Sequence, residues 1–405
     1  MTVEIRPATL EEMPQFGSIG AYVYAGSFGD GPDNLLSQTN RPEWTLCAFD
    51  GSRMVSSFST IPFTMRAMGR AVSLGGISAV GTVPEYRRQG LLRKIMTRAL
   101  ADMKEAHQPV AALWASQAAI YQRYQFAMTT TRRSYRIDTV DLGFHDGDGG
   151  SCKVERVPVE SGFDIVKQLY IRFVANRMCY LHRSSALWQL NVLAANETDG
   201  PIAVAIATDD AGMPVGYLVY SVRSGRVSHP TRGQELKIRD FVWLTQDAYR
   251  SLWRYIATHD LVGAVSWQNV PADDPAQELF IEPRLLHTSD QEGCWFRIVD
   301  LAAALEHRGY RGAGKLTISV PADSLTPWNE GTWQVEVDNG EARVTPGRGG
   351  ADIEGSIKSL TSLYTGFRSA RRLHAWGLIK GDENAILNAD TMFRTPHAPH
   401  CPDNF

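Results

Sequence analysis

Residues 77–92 read ISAVGTVPEYRRQGLL, and this stretch decides the organisation of the first part of the chain. The apolar run at residues 77–83 predicts a strand, which Pro84 ends because proline lacks an amide hydrogen and favours extended backbone before it. Apolar residues from Leu91 onward then recur at the spacing of one helical face. The stretch therefore predicts a strand, a basic turn and a helix that begins near Gly90.

The basic turn carries Arg87 and Arg88 directly before Gly90. The first amides of a helix lack partners within it, and together with the helix dipole they favour an anion. Glycine allows a ligand to approach the backbone, and arginines can bond to phosphate oxygens. These features predict a diphosphate site. An ordinary crossover with solvated arginines has the same order of elements, and the residues alone leave both interpretations open. Neither a Walker loop nor a dinucleotide fingerprint is present in the sequence.

The length of 405 residues predicts about three domains. Hydrophobic residues at 43%, charged residues at 21% and a formal net charge of -3 are typical of a globular protein that does not bind nucleic acid. No apolar stretch is long enough to cross a membrane. Glu4 and Arg6 precede any apolar run, which argues against a signal peptide. We therefore expect a cytoplasmic protein without membrane or nucleic-acid partners.

The cysteines are scattered and odd in number, so we expect reduced thiols rather than a disulfide framework. They are Cys47, Cys152, Cys179, Cys294 and Cys401. His397, His400 and Cys401, with Asp403 nearby, resemble a set of metal ligands. Prolines between them indicate an extended tail, and the cluster has no second half. We expect no metal site.

Three segments follow one another along the chain, and together they predict an α+β fold. The first, residues 1–136, has antiparallel strands that lead into the crossover described above. The second, residues 137–290, repeats this plan weakly, but its loop before the helix capped by Thr245 lacks glycine and arginine, and Asp247 would repel a diphosphate. The third, residues 291–405, has a hairpin at Asn339 and Gly340 and predicts a small α+β domain.

The order of these elements resembles the GNAT superfamily of acetyl-CoA-dependent N-acetyltransferases. The most specific matches are the turn at residues 87–90, the segment SQAAIYQRY at residues 116–124, and the final residue Phe405. More narrowly, the whole chain is similar to the enhanced intracellular survival (Eis) family. This resemblance implies two tandem GNAT folds of mixed sheets flanked by helices, followed by a domain like sterol carrier protein. It also implies acetyl-CoA as the acetyl donor, and a homo-hexamer.

The resemblance further implies roles for single residues. The expected cofactor-binding residues are Val80, Thr82, Val83, Arg87, Arg88, Gln89, Gly90, Leu91, Leu92 and Ser116. Tyr121 matches the general acid that protonates the departing thiolate, and the carboxylate of Phe405 matches the base. Asp30 matches a residue that lines the amine pocket. Leu92 departs from the wider superfamily, which often has a small residue at that position.

Acetyl transfer to an amine requires both an acid and a base. A primary amine is mostly protonated at neutral pH, so a group must accept its proton. A free α-carboxyl has a pKa of about 3.5 and becomes a useful base only when burial or a neighbouring negative charge raises that pKa. A phenol can protonate a thiolate whose pKa is about 8.5. Tyr121 and Phe405 suit these roles, although both residues, like Tyr124, could simply be packed aromatic side chains.

The acceptor stays open between an aminoglycoside, a polyamine and a lysine side chain. Asp30, together with Asp33, Glu43 and Trp44 nearby in sequence, would form an acidic and aromatic pocket that suits a cationic amine. Asp30 could equally be an ordinary turn residue. The alternative function is a non-catalytic protein that senses CoA or binds an apolar ligand, in which Leu360 and Phe367 would line a cavity of the third domain.

Overall fold

The computed structural model describes residues 3–25, 40–145, 150–194 and 198–405. Helices cover three sheets along the chain, which agrees with the expected α+β class.

The elements before residue 130 are β1 (Glu4–Arg6), α1 (Met13–Tyr24), β2 (Cys47–Asp50), β3 (Arg53–Ala67), β4 (Arg70–Thr82), α2 (Leu91–Glu105), β5 (Val110–Trp114), α3 (Ala118–Gln122) and β6 (Ala127–Met128). The elements from residue 131 to residue 298 are β7 (Thr131–Asp138), β8 (Lys153–Val157), α4 (Val159–Val174), β9 (Met178–Leu181), α5 (Ser185–Trp188), β10 (Ile202–Thr208), β11 (Pro214–Ser224), β12 (Gln234–Trp243), α6 (Gln246–Ala257), β13 (Val262–Val270), α7 (Ala276–Leu279), β14 (Ser289–Glu292) and β15 (Cys294–Ile298). The remaining elements are α8 (Leu301–His307), β16 (Gly314–Val320), β17 (Gly331–Asp338), β18 (Glu341–Pro346), β19 (Ile353–Gly355), α9 (Ile357–Tyr364), α10 (Ala370–Ala375), β20 (Ile379–Gly381) and α11 (Glu383–Phe393).

The first sheet has the strand order β1-β2-β3-β4-β5-β15-β6, and β9 adds to β3. Strands β4 and β5 pair in parallel, and α2 connects them. This confirms the crossover predicted from residues 77–92. Strand β4 begins at Arg70, earlier than expected, because Gly75 and Gly76 continue the pairing with β3. A side chain at Gly75 would meet the Met103 sulfur of α2, and one at Gly76 would meet the Phe63 ring.

The first and second sheets exchange a strand. Strand β15 follows the whole second segment in sequence, yet it lies between β5 and β6 of the first sheet. Strand β7 precedes that segment and lies between β13 and β14 of the second sheet. The expected domain boundaries after residues 136 and 290 therefore fall within β7 and β14, and hydrogen-bonded pairing crosses both of them.

The second sheet has the order β14-β7-β13-β12-β11-β10-β8 and repeats the plan of the first. Its parallel pair is β12 and β13, connected by α6. The predicted repeat of the first plan is thus confirmed in the second segment. One face of this sheet packs on α6, and the other packs on α4.

The third sheet has the order β18-β17-β16-β19-β20. The predicted hairpin turn lies between β17 and β18, where Asn339 and Gly340 both have positive φ. Helix α9 packs on β15 of the first sheet, and the Ile298 amide donates a hydrogen bond of 3.0 Å to the Thr361 hydroxyl. The apolar core of the third domain is therefore continuous with one face of the first sheet. No helix among the described residues combines the length and apolar character needed to cross a membrane.

Candidate active site

A cleft opens in the first sheet where β4 and β5 separate. Their parallel pairing ends at Ile77 opposite Leu113, whereas β4 continues to Thr82 alongside β3. A bulge marks this point, since Ala79 has a left-handed φ of 51° and the register with β3 shifts. Beyond it, the edge of β4 that faces away from β3 is free of strand pairing.

The backbone groups of Val80 and Thr82 point into this cleft. The Val83 amide donates back to β3, and residues alternate along a strand, so Val80 and Thr82 face the other way. The Tyr24 hydroxyl donates to the Val80 carbonyl at 3.0 Å, and Arg87 Nε donates to the Thr82 carbonyl at 2.9 Å. The amides of Val80 and Thr82 share this orientation. They lie at the positions that the resemblance assigns to the pantetheine arm.

The basic turn leads directly into the exposed start of α2. Arg88 has a φ of 62° and Gly90 a φ of 77°. The first amide of the helix to donate within it is Lys94, at 3.1 Å from the Gly90 carbonyl, so the three amides before it point out of the helix end. A Cβ added at Gly90 would meet no atom within 4 Å. The glycine is therefore required by its backbone angle, and the space in front of it is open to a ligand.

The other residues of the predicted cradle differ in how they face this space. Arg87 and Arg88 are exposed, so their guanidinium groups are accessible to a phosphate. Gln89 is also exposed, and its side-chain amide folds back to donate to the Glu85 carbonyl at 2.9 Å. The Leu91 side chain is buried in the core. Leucines at the helix start can thus contribute backbone amides to a cradle while their side chains pack below it.

Tyr121 lies in α3, just beyond the end of β5. Its side chain is 4% exposed and belongs to the apolar cluster that contains Ile77 and Leu113, the last pair of β4 and β5 before the cleft. Burial raises the pKa of the Tyr121 phenol, the neighbouring Tyr24 adds to this effect, and a hydrogen bond with Ser116 opposes it. The phenol is therefore protonated at neutral pH and can donate its proton.

The turn after Tyr121 is fixed from below by Arg297 of β15. Arg297 is fully buried and donates to the Tyr124 carbonyl at 2.5 Å. Its second nitrogen donates to Asp323 at 2.6 Å and to Thr326 at 2.8 Å, both in the third domain. Arg297 of the exchanged strand β15 therefore connects the turn after Tyr121 to the third domain.

The C-terminal segment, residues 394–405, leaves the third domain and passes over the second on its way to the first. His397 hydrogen-bonds to Asp273 at 3.1 Å, and the His400 amide donates to the Met178 carbonyl at 3.0 Å. Its route links all three domains.

The last residue of the segment packs on the first sheet. Trp114 Nε1 of β5 donates to the Asp403 carbonyl at 3.0 Å. The Phe405 ring contacts the Phe63 ring at a centroid distance of 4.9 Å, and it lies 3.1 Å from the position that a Cβ of Gly76 would take. Residue 76 must therefore be small for the terminal ring to lie here.

Phe405 and Tyr121 approach the cleft from opposite faces of the sheet. Phe405 lies on the face of Gly76, whereas Tyr121 belongs to the apolar cluster of Ile77, Leu113 and α2 on the other face. Neighbouring residues of a strand point to opposite faces, and residues 76 and 77 are the last of β4 to pair with β5. The two groups therefore flank the point where β4 and β5 separate.

The expected acceptor residue Asp30 lies outside the described residues, as does Asp33. Trp44 is half-buried, and the Arg41 guanidinium lies 4.9 Å from its ring centroid. The Glu43 carboxylate is 3.9 Å from Arg41. Glu43 and Trp44 thus share a neighbouring cation from their own chain.

The histidine and cysteine cluster near the terminus has other uses. Its members contact separate partners: His397 contacts Asp273, and the Asp403 carboxylate contacts Arg183. Groups of three or more potential metal ligands are absent from the described part of the chain. The five cysteines are free thiols in the structure.

The turn before α6 in the second domain differs from its counterpart before α2. The Thr245 hydroxyl accepts a hydrogen bond from the Ala248 amide at 3.1 Å, and Asp247 lies in the first helical turn. The Thr245 side chain satisfies one helix-end donor, and a carboxylate lies beside the others. This helix start therefore suits a diphosphate less well than the start of α2 does.

The third domain has a surface groove of about 470 Å³ beside α10 and α11, lined in part by Arg368, Arg371, Asp390 and Arg394. Leu360 of α9 is instead buried in the common core. The helical face considered for an apolar ligand therefore fills its own core.

Sequence reasoning missed two buried arginines that hold the site in place. Arg297 is the single charge in the apolar run CWFRI, and such a position predicts a buried ion pair. Arg183 follows the apolar strand β9 and contacts the C-terminal segment. For Arg183, no local signal indicates a partner that lies 220 positions away in sequence.

Comparisons with known proteins agree with this architecture. Residues 4–129 and 179–298 each match an acetyltransferase (GNAT) domain, and residues 301–402 match a sterol carrier protein domain. An uncharacterized N-acetyltransferase of Streptomyces avermitilis is 30% identical over 90% of this chain and 89% of its own. N-acetyltransferase Eis of Mycobacterium tuberculosis is 28% identical over 83% of this chain and 82% of its own.

Two solved structures are similar over the full length of both chains. A GCN5-related N-acetyltransferase from Anabaena variabilis has a TM-score of 0.87 at 26% identity. Eis1 from Mycobacterium abscessus has a TM-score of 0.83 at 24% identity.

Proposed function

Because the chain belongs to the Eis family of GNAT N-acetyltransferases, with two GNAT domains and a sterol carrier protein domain, we propose that it transfers the acetyl group of acetyl-CoA directly to a primary amine. The tandem GNAT architecture expected from the sequence is thereby confirmed, and the protein is an acyltransferase. The non-catalytic alternative receives no support from its relatives. The proposal concerns the donor, the acceptor and the residues that act on them.

The donor would bind along the cleft at the end of β4. The amides of Val80 and Thr82 suit the pantetheine arm, because two outward-facing amides on one strand edge match the spacing of the arm's own amide groups. Arg87, Arg88 and the start of α2 suit the diphosphate, which needs charge-assisted donors. Val83 and Ser116 complete the proposed contacts near the two ends of the cleft.

The terminal carboxylate of Phe405 would serve as the base. The amine nitrogen must lose a proton before or during attack on the thioester carbon, and making it neutral at pH 7 costs about 4 kcal/mol. The ring of Phe405, packed on Phe63, fixes the last residue close to the separation of β4 and β5. A carboxylate held there is placed to accept the proton of an amine bound in the cleft.

The phenol of Tyr121 would serve as the acid. As the new C–N bond forms, the C–S bond breaks and the sulfur leaves as a thiolate with a pKa of about 8.5. Tyr121 is buried at the base of the cleft and protonated, so it can give its proton to this sulfur. The carboxylate gains one proton from the amine, and the phenol loses one proton to the sulfur. The number of protons on the enzyme is therefore unchanged until the two groups re-equilibrate with solvent.

One observation carries this proposal: a free strand edge, a buried phenol and the chain terminus all meet where β4 separates from β5. The acceptor is an aminoglycoside, a polyamine or a lysine side chain, with Asp30 as the proposed pocket residue. A homo-hexamer, which the resemblance implies, is part of the proposal, and light scattering tests it.

The test is release of CoA with acetyl-CoA and a panel of amines that contains all three classes, with a reaction lacking amine as the control for hydrolysis. Mass spectrometry of each acceptor identifies the acetylated product. We expect turnover with at least one class and no release without amine. Absence of an acetylated product across the panel would contradict the proposed function.

A further inference from the structure

The second sheet has a cleft at the position that corresponds to the donor cleft of the first. The parallel pairing of β12 with β13 ends at Ile238 opposite Trp267, just as that of β4 with β5 ends at Ile77 opposite Leu113. A bulge again marks the point, because Arg239 has no partner in β11 where the register shifts. The two domains therefore share the geometry that a pantetheine arm would use.

In the second domain this cleft is occupied by the C-terminal segment of the same chain. The His400 ring contacts the Asn269 carbonyl through Nε2 at 3.0 Å. The Asn269 side-chain amide donates to the Pro402 carbonyl at 3.3 Å. Asn269 lies two residues past Trp267, the last residue of β13 to pair with β12, at a bulge in the pairing with β7, and it has a φ of 60°.

A buried ion pair fixes the segment more firmly. The Arg183 side chain is 2% exposed and donates to Asp403 at 2.7 Å and to Asp240 of β12 at 2.5 Å. Its guanidinium carbon also lies 4.2 Å from the ring centroid of Tyr170 and 4.7 Å from that of Trp188. Two carboxylates and two aromatic rings thus hold one cation in a single position.

The residue before the terminus makes reciprocal bonds with the second domain. The Asn404 amide donates to the Asn191 side-chain oxygen at 2.8 Å, and the Asn191 side-chain amide donates to the Asn404 carbonyl at 3.2 Å. The Asn404 side-chain amide donates to the same Asn191 oxygen at 3.4 Å, so Asn191 contacts both the backbone and the side chain of Asn404. The chain then enters the first domain, where Phe405 packs on Phe63.

The space left in the cleft is small. About 50 Å³ remains among Tyr180, Asn269, His400 and the neighbouring strand residues. Sites for small organic ligands are on the order of 300–1,000 Å³. A pantetheine arm cannot enter while the segment is in place.

We propose that the cleft of the second GNAT domain is a binding site for the chain's own C-terminal segment, and that Arg183 is the positioning residue that aims the terminal carboxylate at the first domain. This inference rests on the proposed role of Phe405. It assigns the second domain a function of its own, which is to hold the base while the first domain holds the donor.

The test compares full-length Arg183→Met with Arg172→Met, a control at an exposed arginine of α4. Since Arg183→Met leaves two buried carboxylates, Asp403→Ala serves as a second variant that keeps the pair of Arg183 and Asp240. Hydrogen exchange of the peptide covering residues 394–405 is measured by mass spectrometry, with a β16 peptide as the internal reference. Turnover and CoA stoichiometry are measured on the same samples.

We expect exchange of the C-terminal peptide to rise at least tenfold in both variants and to stay unchanged in the control. The kcat should fall by on the order of 10², with the KM for acetyl-CoA unchanged. Native protein should bind one CoA per chain. Unchanged exchange, or two CoA per chain, would overturn the inference whatever the turnover. Faster exchange with normal turnover would support the docking site but contradict the role of Phe405 as base.

Discussion

Trp114 and Asp403 join the candidate acid to the candidate base: Trp114 Nε1 donates a hydrogen bond of 3.0 Å to the main-chain carbonyl of Asp403. Trp114 ends β5, directly before the turn that carries Tyr121, and Asp403 lies two residues before Phe405. This bond therefore connects the end of β5 directly to the C-terminal segment.

Trp114→Phe should lower turnover without weakening donor binding. The substitution keeps an aromatic ring but removes the hydrogen bond, which contributes about 1 kcal/mol. The equilibrium constant for docking of the terminus should therefore fall about fivefold. We expect kcat to fall about fivefold at an unchanged KM for acetyl-CoA. Trp328→Phe is the matched control, because Trp328 also donates one bond, 2.8 Å to the Val299 carbonyl, away from the terminus. Equal losses in both variants would show a general stability effect.

Tyr121→Phe should lower kcat by about 10²–10⁴, the usual contribution of a general acid. Calorimetry should give the same affinity for CoA in variant and native protein, because the ring and its packing are kept. Tyr124→Phe, three residues away and half-buried, should retain activity. Burial raises the pKa of the Tyr121 phenol, so the native enzyme should show no alkaline loss from this group between pH 6 and 9. Normal acetyl transfer by Tyr121→Phe would exclude it as the acid.

A single glycine added after Phe405 should abolish turnover. The extension moves the carboxylate by about 3.5 Å and places an amide where the base should be. Phe405→Leu is the companion variant, because it keeps the carboxylate in register and weakens only the contact with Phe63. We expect a loss of at least 10² in kcat for the extension and of less than tenfold for Phe405→Leu. The role of the carboxylate would be refuted by an extended chain of native activity.

Arg88→Ala should raise the KM for acetyl-CoA by about 10–100-fold, since a hydrogen bond from a charged group contributes about 1.5–3 kcal/mol. S-Acetylpantetheine, which lacks the diphosphate, should be used equally well by variant and native enzyme. Arg98→Ala removes an exposed arginine farther along α2 and controls for net charge. Equal losses with both donors would mean that Arg88 acts through the fold and not through the diphosphate.

The elements around the donor cleft could be predicted because their signals are local. Pro84, the basic turn and the helical spacing after Gly90 lie within one short stretch, and the structure has the same strand, turn and helix. The early start of β4 was missed because Gly75 and Gly76 carry no apolar signal. Glycine is needed at these two positions because a side chain would collide with Met103 or Phe63, both of which are distant in sequence.

The strand exchange could not be predicted from the sequence. Strands β7 and β15 are short strands of ordinary composition, and which sheet each joins depends on distant partners rather than on its own residues. The same holds for Arg183, whose partner Asp403 lies in the tail. Tyr121 and Phe405 were assigned only through family resemblance, and the geometry now gives each assignment a physical basis that can be tested.

His400→Gln should make the stability of the protein less sensitive to acid. Burial lowers the pKa of His400 to about 4; Arg177 also lowers it, whereas bonds to the Asn269 and Thr131 backbone and the charge of Asp273 oppose the shift. In the unfolded chain the pKa of this imidazole is about 6.5. As the pH falls below 6.5, the imidazole of His400 binds a proton in the unfolded state but not in the native state. The stability present above pH 6.5 is therefore lost progressively towards pH 4.

Urea unfolding at pH 7 and pH 5 measures this effect. Lowering the pH from the unfolded-state pKa of about 6.5 to 5 is a change of about 1.5 pH units. It should lower the free energy of unfolding by about 2 kcal/mol through His400. Burial raises the pKa of Asp403 to about 6 and that of Asp274 to about 7, and such groups gain stability as the pH falls, so the native slope alone does not isolate His400. The native-minus-variant change isolates His400, and His229→Gln, at an exposed histidine, should leave the native slope intact. A variant as acid-sensitive as the native protein would show that His400 is not the titrating group.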